Sequence, residues 1–131
     1  MADHHHSGRV GELLVALELE KMGVDSRIVN WYGVDILAYT DHPIKIEVKA
    51  RNIEGTTSWK FKTNSDKCDI YAFVALELER IVFMHTSECC NMSIRLAEDA
   101  FQKKTETTWA SAVAKVHEEH TRGINKRIAD S

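Results

Sequence analysis

Cysteine, proline and long apolar runs are scarce in this chain, and each shortage closes off a class of protein. Three cysteines in 131 residues, two of them adjacent at Cys89-Cys90, do not make a disulfide framework, so a reduced compartment fits. No stretch approaches the ~20 apolar residues of a membrane span. No apolar N-terminal run resembles a secretion signal, and a cytoplasmic location is the expectation. The six glycines never fall into G-x-x-x-x-G-K-[ST], G-x-G-x-x-G or G-x-S-x-G, which argues against those forms of nucleotide hydrolysis, dinucleotide binding and serine hydrolysis. Neither a repeat nor a linker is visible. With 44% hydrophobic and 28% charged residues, the chain reads as one globular domain over residues 7–131, behind a disordered segment 1–6.

Net positive charge is also lacking. The formal charge of −3 counts against a nucleic-acid partner, because such modules are usually basic. The distribution offsets this. Between His42 and Lys67 the chain carries Lys45, Lys49, Arg51, Lys60, Lys62 and Lys67 against Glu47, Glu54 and Asp66, a local +3.

What is present is centred on two alternating segments, Gly33 to Tyr39 and Ile44 to Arg51, around the turn Thr40-Asp41-His42-Pro43. A hairpin closing around Asp41 sets Tyr39 opposite Pro43, Ala38 opposite Ile44 and Ile36 opposite Ile46. Asp35 then faces Glu47 on the other side of the sheet, roughly 5 Å away between Cβ atoms. Lys49 points to that same side, across from Gly33. Two acids and an ammonium on one patch are costly unless something uses them, and a divalent cation would.

Asp, a spacer of about a dozen residues, then Glu-Val-Lys on the next strand resembles the signature of the PD-(D/E)xK nucleases, the restriction-endonuclease-like superfamily. Val34 replaces the Pro of that signature and removes no ligand. Upstream, Gly8-Arg9-Val10-Gly11-Glu12 supplies the further helical acid that many members carry. The order most resembles archaeal-type Holliday junction resolvases and Mrr-like nucleases, over roughly Ser7 to Arg51.

That resemblance implies an α/β fold, with an N-terminal helix on a mixed sheet of about five strands and C-terminal helices. It also implies metal-dependent endonuclease activity on DNA. Asp35, Glu47 and the Val48 carbonyl would hold Mg²⁺ or Mn²⁺, and Glu12 would complete the site. Lys49 would assist the attack, and Arg9, Arg51, Lys60 and Lys62 would contact the DNA backbone. A homodimer with two sites is implied by the relatives. The competing reading is a catalytically inactive module of the same fold that binds nucleic acid or protein.

Elsewhere the expectations are simpler. His4–His6, in the disordered segment, read as either a cloning remnant or native residues. Ser7 caps a helix to about Met22, stopped by Gly23. One apolar arc of that helix holds Met22, Val15, Leu19 and Ala16, and another holds Leu13, Leu17, Val10 and Leu14. Glu12 falls at the edge of the first arc. Strands are expected at 26–31, 59–62, 69–76 and 81–85, the 69–76 run being apolar enough to be buried. Residues 64–68 leave little room for a crossover helix. Asn91 to Phe101 reads as a short strand or helix, and Thr107 to Ile128 as helix broken at Gly123. His117 and His120 fit a solvated helix face, since no third metal ligand is in view. His85, Cys89 and Cys90 lack zinc-site spacing.

Overall fold

The first helix forms where the apolar arcs place it but begins sooner than Ser7. In the computed structural model, which describes residues 4–31, 33–55, 57–63, 67–89 and 92–130, α1 spans His4–Lys21. Ser7 therefore lies inside the helix and is not its cap, and Met1 to Asp3 fall outside the described residues. Gly23, at φ 75°, ends α1 as expected, because the left-handed conformation there costs glycine no Cβ clash. Val15 and Leu19, one turn apart, are fully buried.

Five strands make the main sheet, in the order β1-β2-β3-β5-β6: β1 (Asp25–Trp31), β2 (Val34–Tyr39), β3 (Pro43–Arg51), β5 (Ile70–Ala75) and β6 (Arg80–His85). β3 and β5 run parallel, and the other neighbours are antiparallel, so the sheet is mixed. Every residue of β5 is buried, as its unbroken apolar run requires of a central strand covered on both faces. Its alternate residues divide between two cores. Ile70, Ala72 and Val74 pack with Val15, Leu19, Ile36, Ile44 and Ile46 beneath α1, and with Trp109 and Ala112 of α3 (Thr105–Asp130). Tyr71, Phe73 and Ala75 face an aromatic core containing Trp59, Phe61 and Phe101.

The second core is roofed by β4 (Ser58–Lys62), which leaves the main sheet and pairs antiparallel with β7 (Ser93–Ala97), followed by the short α2 (Glu98–Gln102). A parallel β3–β5 pair needs a crossover, commonly a helix. Here that connection contains β4, consistent with the short 64–68 stretch, of which residues 64–66 lie outside the described residues. The Asn91–Phe101 segment proves to hold both a strand and a helix. Gly123 does not interrupt α3. An exposed glycine costs a helix only ~1 kcal/mol, and nothing lies within 4 Å of where its Cβ would be. Among the described residues no helix is long and apolar enough to cross a membrane.

Candidate active site

The hairpin has the register that alternation demanded. Tyr39 pairs with Pro43, Ala38 with Ile44 and Ile36 with Ile46. One residue further, side chain replaces backbone: the Val48 N–H donates to Asp35 Oδ2 at 2.7 Å. Asp35 thus sits where β2 and β3 stop pairing, held by the strand that carries Glu47 and Lys49. In an extended strand the N–H and C=O of one residue leave by the same edge, so the Val48 carbonyl also faces the β2 side.

Glu47 Oε1 lies 3.1 Å from Lys49 Nζ, and both side chains are largely shielded from solvent. The Cys68 thiol lies 3.9 Å from Glu47 Oε2, directed at it as a weak donor. Burial first, then the Glu47 and Asp69 carboxylates, push that thiol up to about 12, which favours its protonated form. Sequence reasoning missed Cys68. The available signal was its place two residues ahead of a buried strand, which parallel pairing sets beside Glu47.

Glu12 comes in from α1. Gly11 makes this possible: a Cβ there would lie 2.5 Å from the Ala50 Cβ, so only glycine lets the helix approach β3 so closely. Gly8, three residues earlier, has nothing within 4 Å. The Glu12 carboxylate is mostly covered. Its Oε2 is buried with no hydrogen-bond partner, and the nearest cation, Arg9 Nη1, is 3.6 Å away. An orphaned carboxylate oxygen is a costly feature that a bound cation would relieve.

The three acids feel one another. Burial raises the Asp35 pKa above the usual aspartate value, the Val48 N–H pulls it down, and the Glu12 and Glu47 charges raise it again against Lys49. Among the described residues, no three His, Cys, Asp or Glu side chains are gathered into a ready-made ion cage. Mg²⁺ does not need one, since it binds through one or two carboxylates and keeps several waters. Asp35, Glu47 and the unsatisfied Glu12 oxygen fit that donor set.

A cleft of about 580 Å³ reaches this strand at Val48 and Lys49 and is lined also by Arg51, Lys60, Lys62 and Glu54, while Glu12, Asp35 and Glu47 lie off its wall. The strand pattern of β4 explains the lysines: Trp59 and Phe61 are buried, so Lys60 and Lys62 project outward. Arg9, also expected at this surface, is not on the cleft wall and faces Glu12 instead. Glu77 braces the rim, accepting from Ile53 N–H at 2.6 Å and Trp59 Nε1–H at 3.0 Å. Burial alone would raise its pKa, but those donors outweigh it and hold the carboxyl below the usual glutamate range.

His85 and Cys89 are engaged by neighbouring groups. His85 Nδ1 receives the Ser87 N–H at 3.0 Å, its Nε2 lies 3.2 Å from Glu119, and the Cys89 thiol donates to the His85 carbonyl. Cys90 is outside the described residues.

No protein-family model matches the chain, and no curated protein matches it in sequence. Among solved structures it is similar to a bacterial homing endonuclease, I-Ssp6803I, with a TM-score of 0.71 and 16% identity over 92% of this chain and 99% of that one. At that identity the likeness is one of fold: the chain has a nuclease-type α/β architecture.

Proposed function

We propose that this protein is a metal-dependent DNA endonuclease of the PD-(D/E)xK kind, which hydrolyses phosphodiester bonds with Mg²⁺ or Mn²⁺ at Asp35, Glu47 and Glu12. The observation that carries the reading is that Asp35 feels the charges of both Glu12 and Glu47, with a Glu12 oxygen buried and lacking a hydrogen bond, next to the strand whose Val48 and Lys49 line a cleft with Arg51, Lys60 and Lys62. The shared fold with a homing endonuclease supports it.

In this reading Asp35, Glu47 and the Val48 carbonyl are the cation's ligands, with Glu12 completing the set. When bound, the cation supplies Lewis-acid polarisation of the scissile phosphate and a lowered pKa for a coordinated water. Lys49 leaves Glu47 to orient the attacking water and offset charge growing on the phosphorane. Arg51, Lys60 and Lys62 hold the DNA backbone in the cleft and fix its register without reading bases. Arg9 is poised to exchange its loose Glu12 contact for a phosphate.

A second copy of the chain is the proposed partner. Val10, Leu13 and Leu17 form one stripe of α1, and each is 45–52% exposed. An apolar stripe on one helix face suits self-association. Leu13→Glu with Leu17→Glu should then convert a dimer to a monomer in sedimentation velocity.

The deciding experiment incubates the protein with linear duplexes, flaps, single strands and Holliday junctions, with Mg²⁺, Mn²⁺ or EDTA. Cleavage that EDTA abolishes supports the reading, and the preferred substrate identifies resolvase-like or duplex-cutting activity. No cleavage, with salt-sensitive binding that survives EDTA, would instead identify an inactive DNA-binding module.

A further inference from the structure

The histidines of α3 acquire through folding the third partner that their helix does not provide. His117 and His120 are neighbours on one face of α3, three residues apart. The β2–β3 turn brings His42 onto both of them. The His42 ring lies against His120 with centroids 3.7 Å apart, and meets His117 edge-on at 5.6 Å. Thr40 anchors the group. Its hydroxyl donates to the His42 carbonyl at 2.8 Å, and the His117 Nε2 lies 3.4 Å from the same hydroxyl oxygen. These residues lie at the far end of the hairpin from Asp35 and Glu47.

We propose that His42, His117 and His120 form a binding site for a divalent transition-metal ion of the zinc class, clipping the C-terminal half of α3 to the β2–β3 turn. Three neutral imidazoles suit Zn²⁺, Cu²⁺ or Ni²⁺ and not the hard cations favoured by carboxylates. Three protein ligands plus water make a known zinc coordination number. The rings are not yet in ligand positions, in keeping with the absence of a preformed cage among the described residues. Two imidazoles on one tetrahedral ion, with Zn–N near 2.1 Å, have centroids roughly 5 Å apart. His42 and His120 must therefore part by somewhat over 1 Å. His42 sits in a turn and His120 is exposed, so side-chain rotation is open to both. The clip would join segments more than 70 residues apart in sequence, stabilising the fold by the cation's preference for the folded chain.

The test uses the full chain with His4, His5 and His6 replaced by alanine, which removes the other histidine tract. Zn²⁺ is titrated calorimetrically in excess Mg²⁺, which occupies the carboxylates, and Co²⁺ absorption reports coordination geometry. One Zn²⁺ per chain, a raised melting temperature and tetrahedral Co²⁺ bands are expected. His120→Gln, at an exposed position with no fold to disturb, should weaken Zn²⁺ binding at least about 100-fold, since losing even an outer-shell partner costs 10–100-fold. His42→Gln should do the same and abolish the thermal shift. Zn²⁺ binding that is undetectable in the parent, or unchanged in either folded variant, overturns the proposal.

Discussion

The two ends of the β2–β3 hairpin differ in what they gather. At the open end, where pairing stops, Glu47 pairs with Lys49, Asp35 feels the charges of Glu12 and Glu47, and a buried Glu12 oxygen has no hydrogen bond and only Arg9 at 3.6 Å. At the closed end the turn meets α3 through three imidazoles. One end concentrates like charges and the other packs as rings. On the two proposals made above, one hairpin flanked by helices would present hard oxygen donors and borderline nitrogen donors at sites a strand-length apart. Only the acidic end adjoins, through Val48 and Lys49, a cleft lined by Arg51, Lys60 and Lys62, and so only it is proposed as catalytic.

The sharpest way to break this contrast is Asp35→Asn. It should lower metal-dependent cleavage by about 10³-fold or more, because the Lewis-acid contribution of several kcal/mol goes with the ligand. It should also raise the melting temperature at neutral pH, since the amide oxygen still accepts from Val48 while the charge repulsion is gone. Asp35→Ala removes that acceptor as well, leaving Val48 N–H unpaired at a cost of about 1–3 kcal/mol. The pH dependence follows from the sign of the shift. A carboxyl whose folded pKa is raised costs nothing below its unfolded value, and its penalty accrues as pH rises through the folded one. The melting-temperature gap between wild type and Asp35→Asn should therefore close on acidification, while protons displace the metal and cleavage falls. Unchanged cleavage in Asp35→Asn would remove the acidic end from the chemistry.

Lys49→Met comes next, with cleavage rate reduced roughly 10²–10³-fold and Mg²⁺ affinity little altered in a metal titration. Gly11→Ala should destabilise by about 1–3 kcal/mol in urea unfolding, because the new methyl meets Ala50. Gly8→Ala, with open space around it, should gain up to about 1 kcal/mol of helix propensity. Equal effects at the two glycines would mean that α1 is not pressed onto β3. The smallest change is expected at Glu77, which belongs to neither end. Glu77→Gln should cost on the order of 1 kcal/mol at neutral pH. With its folded pKa depressed, that contribution is present above the unfolded value and disappears as pH falls through the folded one.

Much of the open end was legible in the chain because it is local. Alternation sets strand faces, the four-residue turn sets the register, and Asp35, Glu47 and Lys49 follow from counting. The buried β5 was equally plain, since an unbroken apolar run has few other uses. The start of α1, the continuity of α3 through Gly123, and the departure of β4 to pair with β7 were not. Each depends on packing between distant segments, which outweighs local propensity. Cys68 against Glu47 and His42 against His117 were hidden for the same reason.

Residue order alone thus determined the hairpin, its register and the side of it that carries acid, because a period of two and a tight turn admit no other pairing of these faces. Only the tertiary structure decided how near Glu12 comes, what roofs the aromatic core and which histidine meets which. Those outcomes depend on how closely a glycine lets helix and strand approach and on where a long helix ends in space, and short-range pattern encodes neither distance.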